Sequence, residues 1–230
     1  MQRIFHTPEG VRDIYSQECS RKQKLQEKLH RVFHQYGFED IETPTFEYFE
    51  VFSKEVGTIP SRELYKFFDR EGNTLVLRPD FTPSVSRACA TYFNPEKEVV
   101  SLCYTGNTFI NNSSFRGRLK ETTQMGVERM GDDSPEADAE ILAMTVECLL
   151  ATGLTEFQVS VGQVDYYKAI FAQTGMSQEE EEELRELISQ KNYFGVEELV
   201  KNKKATPLVR ADLPSFSPDW SAQYVSSTMA

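Results

Sequence analysis

The sequence predicts an α+β fold in which an antiparallel sheet is flanked by helices. Segments 16–35 and 135–152 carry apolar residues at helical spacing. Segments 64–78 and 99–130 each have the pattern of two strands joined by a turn or loop. With 230 residues, of which 39% are hydrophobic and 27% charged, the chain is long enough to bury one sizeable core.

The first helix is predicted over residues 16–35. Its apolar side is formed by Leu25, Leu29, Val32, Phe33 and Tyr36. Gly37 follows at the position where a glycine commonly ends a helix. We expect a short strand over 38–44, which Pro44 would stop.

Residues 65–69 and 74–78 are predicted to form a β-hairpin around the turn 70–73. A helix should then start with Thr82 as its N-cap and Pro83 at its first position, and extend to Tyr92.

Strands are predicted over 99–104 and 121–130, on either side of a polar loop. On the second strand Gln124, Gly126 and Glu128 share one face, because strand side chains alternate. A glycine between two polar residues would let a ligand approach the backbone closely. An ordinary solvated sheet face is the alternative interpretation.

The rest of the chain is predicted to contain a helix over 135–152 ended by Gly153, a strand over 157–161 and a helix over 166–174. Ser177 and Glu180 form a capping-box pattern at the start of another helix. A short helix should follow over 192–201, and the segment after residue 204 is expected to be irregular.

Charge and cysteine pattern narrow the classes of function. A net charge of −11 argues against autonomous binding to nucleic acid, which needs a basic surface. No apolar run approaches the length of a membrane span, and no signal-peptide pattern is present. The four cysteines are widely spaced and predict free thiols in a reducing, cytoplasmic environment.

The stretch from Tyr104 to Gly131 resembles motif 2 of the class II aminoacyl-tRNA synthetases, in the form that histidyl-tRNA synthetases have. The positions that match this family are Gly117, Arg118, Gln124, Gly126, Glu128 and Gly131. In the family, an Arg that grips the α-phosphate of ATP follows the Phe, and a Glu stands two positions later. Ile110 and Asn112 occupy these two positions here.

Two other segments resemble the same family. Residues 77–82 are similar to its Leu-Arg-Pro-Glu-x-Thr segment, in which the acidic residue receives the substrate's α-amino group; Asp80 holds that position. An electrostatic role at a helix N-terminus is an equally good interpretation of Asp80. The helix and strand over 16–44 resemble motif 1, which implies a homodimer interface.

The resemblance therefore implies a class II synthetase-like domain over 1–175, a helical appendage or the start of an insertion over 176–204, and an irregular tail over 205–230. Two glycine-rich segments that complete the family's amino-acid pocket are not found, so its C-terminal strands are expected to be missing. The implied histidine-binding residues are Asp80, Thr82, Arg118, Gln124 and Glu128.

The loss of the phosphate-gripping cation at Ile110 implies a protein without catalytic residues or cofactors, because fixed cations supply most of the catalysis in phosphoryl chemistry. The resemblance extends to histidyl-synthetase paralogues that act as regulatory subunits of ATP phosphoribosyltransferase, the first enzyme of histidine biosynthesis. It implies a short-form catalytic subunit as partner and histidine as ligand.

Two alternatives stay open at this point. One is a divergent synthetase fragment that still makes histidyl-adenylate, and the other is a structural pseudo-synthetase that binds only a partner protein.

His30 and His34 lie one helical turn apart, but no Glu or Cys stands beside them in ligand spacing. They are predicted to form a solvated helix face, and no metal site is expected.

Overall fold

The computed structural model describes residues 6–53, 59–112, 117–162, 176–189 and 192–202. The chain divides into two compact units, Met1–Thr155 and Glu156–Ala230. The three-part division into 1–175, 176–204 and 205–230 stays a prediction. Within the described ranges, no helix has both the length and the apolar character that a bilayer crossing needs.

The first unit contains four α-helices, six strands and a single 3₁₀ turn among its described residues. In chain order they are α1 (Ser16–Gln35), β1 (Glu39–Asp40), β2 (Phe46–Tyr48), α2 (Phe49–Ser53), the 3₁₀ turn (Ser61–Glu63), β3 (Lys66–Phe68), β4 (Thr74–Leu77), α3 (Thr82–Tyr92), β5 (Val100–Phe109), β6 (Glu121–Met130) and α4 (Pro135–Thr152).

The larger strands β5 and β6 form an antiparallel hairpin whose register runs from Val100 opposite Met130 to Phe109 opposite Glu121. The short strand β1 joins the other side of β5 in the parallel direction, which gives the order β1-β5-β6. β5 was predicted to end at Tyr104, but it continues for five more residues because each of them pairs with a residue of β6.

Each face of this sheet packs on different helices. On one face, the α3 residues Val85 and Cys89 pack with Val100, Leu102 and Tyr104 of β5. On the opposite face, the core contains Val32 and Phe33 of α1, Phe38, Cys103 of β5 and Met144 of α4. The alternation of side chains along β5 therefore sends Tyr104 toward α3 and Cys103 toward α1 and α4.

A second, smaller sheet has the antiparallel order β2-β4-β3. The pair β3 and β4 confirms the hairpin predicted around residues 70–73. Glu47 of β2 is buried and accepts hydrogen bonds from Arg87 of α3, with 2.7 Å between Oε1 and Nη2. This ion pair connects the second sheet to the helix that covers the first.

Two of the three helix boundaries predicted in this unit from end signals are confirmed. Gly37 follows α1 with φ +79°, and Gly153 follows α4 with φ +99°, which is the left-handed conformation that favours glycine. The α3 helix does end at Tyr92, but the prediction of Thr82 as its N-cap is wrong. Phe81 is the capping residue, and the Thr82 hydroxyl bonds to Glu128 instead.

The second unit has two helices in its described part, α5 (Gln178–Ser189) and α6 (Tyr193–Asn202). The capping box is confirmed, since Glu180 Oε2 accepts from the Ser177 amide at 2.8 Å and Ser177 Oγ accepts from the Glu180 amide at 3.4 Å. The strand predicted over 157–161 is wrong, because this segment pairs with no strand among the described residues. The predicted helix 166–174 and the tail after 204 lie outside the described residues.

Candidate functional site

The candidate ligand site lies on the face of the β5–β6 hairpin that α3 covers. Gln124 and Glu128 stand on this face of β6, opposite Gly106 and Leu102 of β5. Asp80 lies just before the start of α3, and Thr82 is the first residue of that helix. The turn into α3 thus places Asp80 beside Gln124 and Thr82 beside Glu128.

Two hydrogen bonds join these four residues in pairs. Gln124 Nε2 donates to Asp80 Oδ1 at 3.0 Å, and Thr82 Oγ1 donates to Glu128 Oε1 at 2.6 Å. Asp80 Oδ1 also accepts from the Phe81 amide at 2.7 Å, which fixes the carboxylate at the helix start. Four of the five residues predicted for the site therefore lie together, although 44 and 46 positions separate the bonded partners in sequence.

Tyr104 belongs to the same site and was missed by the sequence analysis. Its side chain is 5% exposed, and its hydroxyl accepts from Gln124 Nε2 at 3.4 Å. Gly126 lies directly opposite Tyr104, and a Cβ on Gly126 would come within 2.6 Å of Tyr104 Cζ. The expectation that Gly126 leaves room for a ligand is therefore wrong, because the tyrosine ring occupies that space.

A buried cation supports this arrangement from the β4 side. Arg78 is 7% exposed and donates to the backbone carbonyls of Asn107 at 2.8 Å and Thr43 at 2.9 Å. Its guanidinium lies 4.0 Å from the centre of the Phe81 ring, which itself stacks on Tyr104. Arg78 therefore packs against Phe81 and helps to fix the stacked pair of Phe81 and Tyr104.

The electrostatics of the site favour a cationic ligand. Burial raises the pKa of Glu128 above its ordinary value, and the Asp80 carboxylate raises it further, while the hydrogen bond from Thr82 offsets only part of this. Burial and the same two carboxylates raise the pKa of Tyr104, so its hydroxyl stays neutral. A cation placed here would relieve the unfavourable interaction between Asp80 and Glu128.

Arg118, the fifth predicted residue, is exposed on the loop between β5 and β6. Its side chain forms no hydrogen bond or ion pair with any described residue. The structure does not bring Arg118 together with the other four, and its role stays a prediction.

The two positions that depart from the synthetase motif lie just beyond β5. Ile110 is half-buried, and its amide donates to the Lys120 carbonyl at 2.9 Å, so the hairpin continues past Phe109. Asn112 Nδ2 donates to the Leu119 carbonyl at 3.2 Å, whereas its buried Oδ1 accepts no hydrogen bond from the described residues. Neither side chain offers the positive charge that an α-phosphate needs.

The comparisons with known proteins agree with these features. A family model described as Histidyl-tRNA synthetase matches residues 10–223. The chain belongs to the histidyl-tRNA synthetase family. The expected class II synthetase fold is confirmed by a crystal structure from Bacillus halodurans, described as an ATP phosphoribosyltransferase regulatory subunit/histidyl-tRNA synthetase. It superposes with a TM-score of 0.81 and 31% identity over 94% of this chain and 56% of that one.

Curated relatives within this family are named ATP phosphoribosyltransferase regulatory subunit. The protein from Acetivibrio thermocellus is 41% identical over 216 residues, which cover 94% of this chain and 51% of the relative. The protein from Ruminiclostridium cellulolyticum is 42% identical over 196 residues, covering 85% of this chain and 47% of the relative. The chain thus spans about half the length of these relatives.

Proposed function

We propose that this chain is a non-catalytic regulatory subunit of ATP phosphoribosyltransferase, the enzyme of the first step of histidine biosynthesis. The observation that carries the proposal is the combination of Ile110 in the phosphate-gripping position with relatives, 41% and 42% identical, that are named as such subunits. The cytoplasm is the expected location.

The proposed loss of synthetase activity follows from the charge of the motif. Amino-acid activation brings a carboxylate against the α-phosphate of ATP, and charge builds up on the phosphoryl oxygens. Removing a cation that clamps a transferring phosphoryl group costs about 10³–10⁵ in rate. Ile110 has no donor to replace it, and Asn112 carries no charge where the family has Glu.

The ligand proposed for the site is histidine. Asp80 and Glu128 would accept hydrogen bonds from its ammonium group and imidazole N–H, while Thr82 and Gln124 keep the two carboxylates in position. Arg118 would approach the ligand's carboxylate from the loop. The raised pKa of Glu128 supports this assignment, because a group held in an unfavourable charged state gains most from a bound cation.

Feedback inhibition would then follow from linkage. A ligand shifts an assembly only as far as its affinities for the active and inhibited forms differ. Histidine at this site would bind the inhibited form of the complex more tightly than the active form and so lower the activity of the short-form catalytic subunit.

Assembly is proposed through two surfaces. The motif 1-like unit 16–44 would form a homodimer. The β2-β4-β3 sheet would contact the catalytic subunit. Three aromatic residues of this sheet are exposed, Phe46 by 51%, Tyr48 by 54% and Phe68 by 72% of their surface. Exposed aromatic patches of this kind are typical of protein–protein contacts.

The first experiment is co-purification with the short-form catalytic phosphoribosyltransferase of the same organism, followed by its activity with and without histidine. Complex formation with raised, histidine-sensitive activity is the expected result. Absence of a complex, or a complex whose activity the chain does not change, would overturn the proposal.

Histidine-dependent exchange of pyrophosphate into ATP separates the synthetase alternative from this proposal. We expect no exchange above background, with an active histidyl-tRNA synthetase as positive control. Titration calorimetry with histidine then tests the pocket on the wild type, on Glu128→Gln and on the exposed control Glu71→Gln. Equal heats for the wild type and Glu128→Gln would remove the pocket and favour a structural pseudo-synthetase.

A further inference from the structure

Four side chains with metal-binding atoms converge near the C-terminal end of α1. His30 and His34 lie one helical turn apart on α1, Asp40 lies on β1 and Cys103 lies on β5. Their ligand atoms all lie within 4.8 Å of one another. This cluster is on the sheet face opposite to Tyr104 and plays no part in the proposed histidine site.

The Asp40 carboxylate is the centre of the cluster. It contacts His30 Nε2 through Oδ1, and His34 Nε2 lies 3.0 Å from Oδ2. Cys103 Sγ lies 3.5 Å from Oδ1. In a tetrahedral zinc site, bond lengths of about 2.0–2.3 Å place the ligand atoms roughly 3.2–3.8 Å apart. The distances from Asp40 to His34 and Cys103 are near this spacing, and no two of the four ligand atoms lie more than 4.8 Å apart, so small side-chain movements would let them share one ion.

The backbone holds these groups independently of any ion. Asp40 and Cys103 are direct partners in the parallel pairing of β1 with β5, and the Ile41 amide donates to the Cys103 carbonyl at 2.9 Å. The two histidines are carried by a 20-residue helix. Sites built on helices and strands keep their geometry better than sites on loops.

Solvent reaches the cluster from one side. The side chains of His30, His34 and Asp40 are 37%, 46% and 56% exposed, whereas Cys103 is fully buried beneath them. An ion from solvent would reach the two histidines and Asp40 first and would coordinate the buried Cys103 sulfur as its innermost ligand.

We propose that His30, His34, Asp40 and Cys103 form a tetrahedral site for one transition-metal ion, with Zn²⁺ as the ion that the donors fit best. Two imidazoles, a thiolate and a carboxylate are ligands that zinc accepts, whereas Mg²⁺ and Ca²⁺ require oxygen donors. On coordination the Cys103 thiol loses its proton to solvent, and the two anionic ligands balance the charge of the ion. The ion would tie α1 and β1 of the proposed dimer unit 16–44 to β5.

The test uses the full chain after chelator treatment and exchange into chelator-free buffer, with Co²⁺ as the spectroscopic probe. We expect one equivalent of Co²⁺ to produce a thiolate-to-cobalt charge-transfer band and the intense visible absorption of a tetrahedral complex. Added Zn²⁺ should displace Co²⁺ and remove both signals.

Matched variants assign the signals to these residues. Cys103→Ser should abolish the charge-transfer band, and the surface variant His34→Asn should weaken Co²⁺ binding by more than roughly 100-fold, since losing even a supporting contact of a metal ligand costs about 10–100-fold. The control variants Cys19→Ser and His6→Asn lie outside the cluster and should bind as the wild type does.

Circular dichroism of each variant shows whether it is folded, and His34→Asn keeps the test decisive if Cys103→Ser does not fold. Absence of the charge-transfer band in the folded wild type would overturn the proposal. A band that persists in Cys103→Ser, or an unchanged affinity in His34→Asn, would do the same. The cluster would then be only a hydrogen-bond network centred on Asp40.

Discussion

The ring of Tyr104 occupies the space that a side chain at Gly126 would need. The two residues face each other across β5 and β6, and a Cβ at position 126 would come within 2.6 Å of Tyr104 Cζ. Tyr104 has little room to move, because its ring stacks on Phe81 with the centroids 4.3 Å apart. A glycine at 126 is thus required by the tyrosine that lies between Gln124 and Glu128.

Gly126→Ala is therefore expected to destabilise the protein. Placing one extra methyl group into a packed site costs about 1–3 kcal/mol. Urea denaturation followed by circular dichroism measures the change in the free energy of unfolding. Gly162→Ala is the matched control, because nothing lies within 4 Å of a Cβ at that position. Equal stability of Gly126→Ala and the wild type would show that Tyr104 moves aside freely.

Arg87→Met should destabilise the protein by removing the partner of a buried carboxylate. Glu47 is 8% exposed, and two nitrogens of Arg87 donate to its Oε1. Breaking a buried ion pair by removing one partner costs about 3–5 kcal/mol, and the partly exposed Arg87 places this pair at the lower end of that range.

One further variant separates the effect of the unpaired charge from the effect of lost packing at Arg87, and a second serves as an exposed control. The double variant Glu47→Gln/Arg87→Met should recover much of the stability, because no buried charge is left. Arg12→Met removes an exposed ion pair with Glu18 and should have no measurable effect. If Arg87→Met has the same urea midpoint of unfolding as the wild type, the Glu47–Arg87 pair does not stabilise the fold.

Arg78→Lys is expected to lower the free energy of unfolding although the charge is kept. The guanidinium donates in separate directions to the carbonyls of Asn107 and Thr43, and a lysine ammonium cannot reproduce that planar arrangement. Loss of one charge-assisted hydrogen bond costs about 1.5–3 kcal/mol. The exposed Arg70, replaced by lysine in the same way, is the control. A wild-type Tm for Arg78→Lys would contradict the supporting role of this side chain.

Local signals predicted the helices α1 and α4 well, whereas no signal predicted the five-residue helix α2. The apolar spacing and the following glycine placed α1 and α4 at the bounds that the structure has, since both signals act within a few residues of each other. The capping box at Ser177 is confirmed for the same reason.

Non-local pairing explains what the sequence pattern missed. Residues 105–108 are polar or small, yet they and Phe109 extend β5 because β6 supplies a partner for each. Thr82 has the composition of an N-cap, but its hydroxyl bonds to Glu128 on a distant strand. Likewise, spacing along the chain cannot show that Asp40 and Cys103 approach His30 and His34, because the β1–β5 pairing brings them there.

Four residues of the candidate site could be predicted from the two family segments they resemble, since each segment supplies two of them. Their hydrogen bonds could not be predicted, because they depend on how the start of α3 lies over β6. Tyr104 was missed because an apolar run with a tyrosine at its end is typical of any buried strand. Its position opposite Gly126 becomes visible only when the register is known.

Glu128→Gln is expected to stabilise the ligand-free protein at neutral pH. Burial and Asp80 raise the pKa of Glu128 in the folded state, so the folded protein holds this proton more tightly than the unfolded chain does. The stability that this group contributes is fully present below its ordinary pKa of about 4.3 and is lost as the pH rises through the raised value. Glutamine keeps an acceptor for Thr82 without the charge, so its advantage should grow across that window. Tm measured without histidine from about pH 4 to about pH 8 tests this, with Glu71→Gln as control. A Tm difference independent of pH, or a less stable variant at neutral pH, would show that Glu128 is not held at a cost to stability.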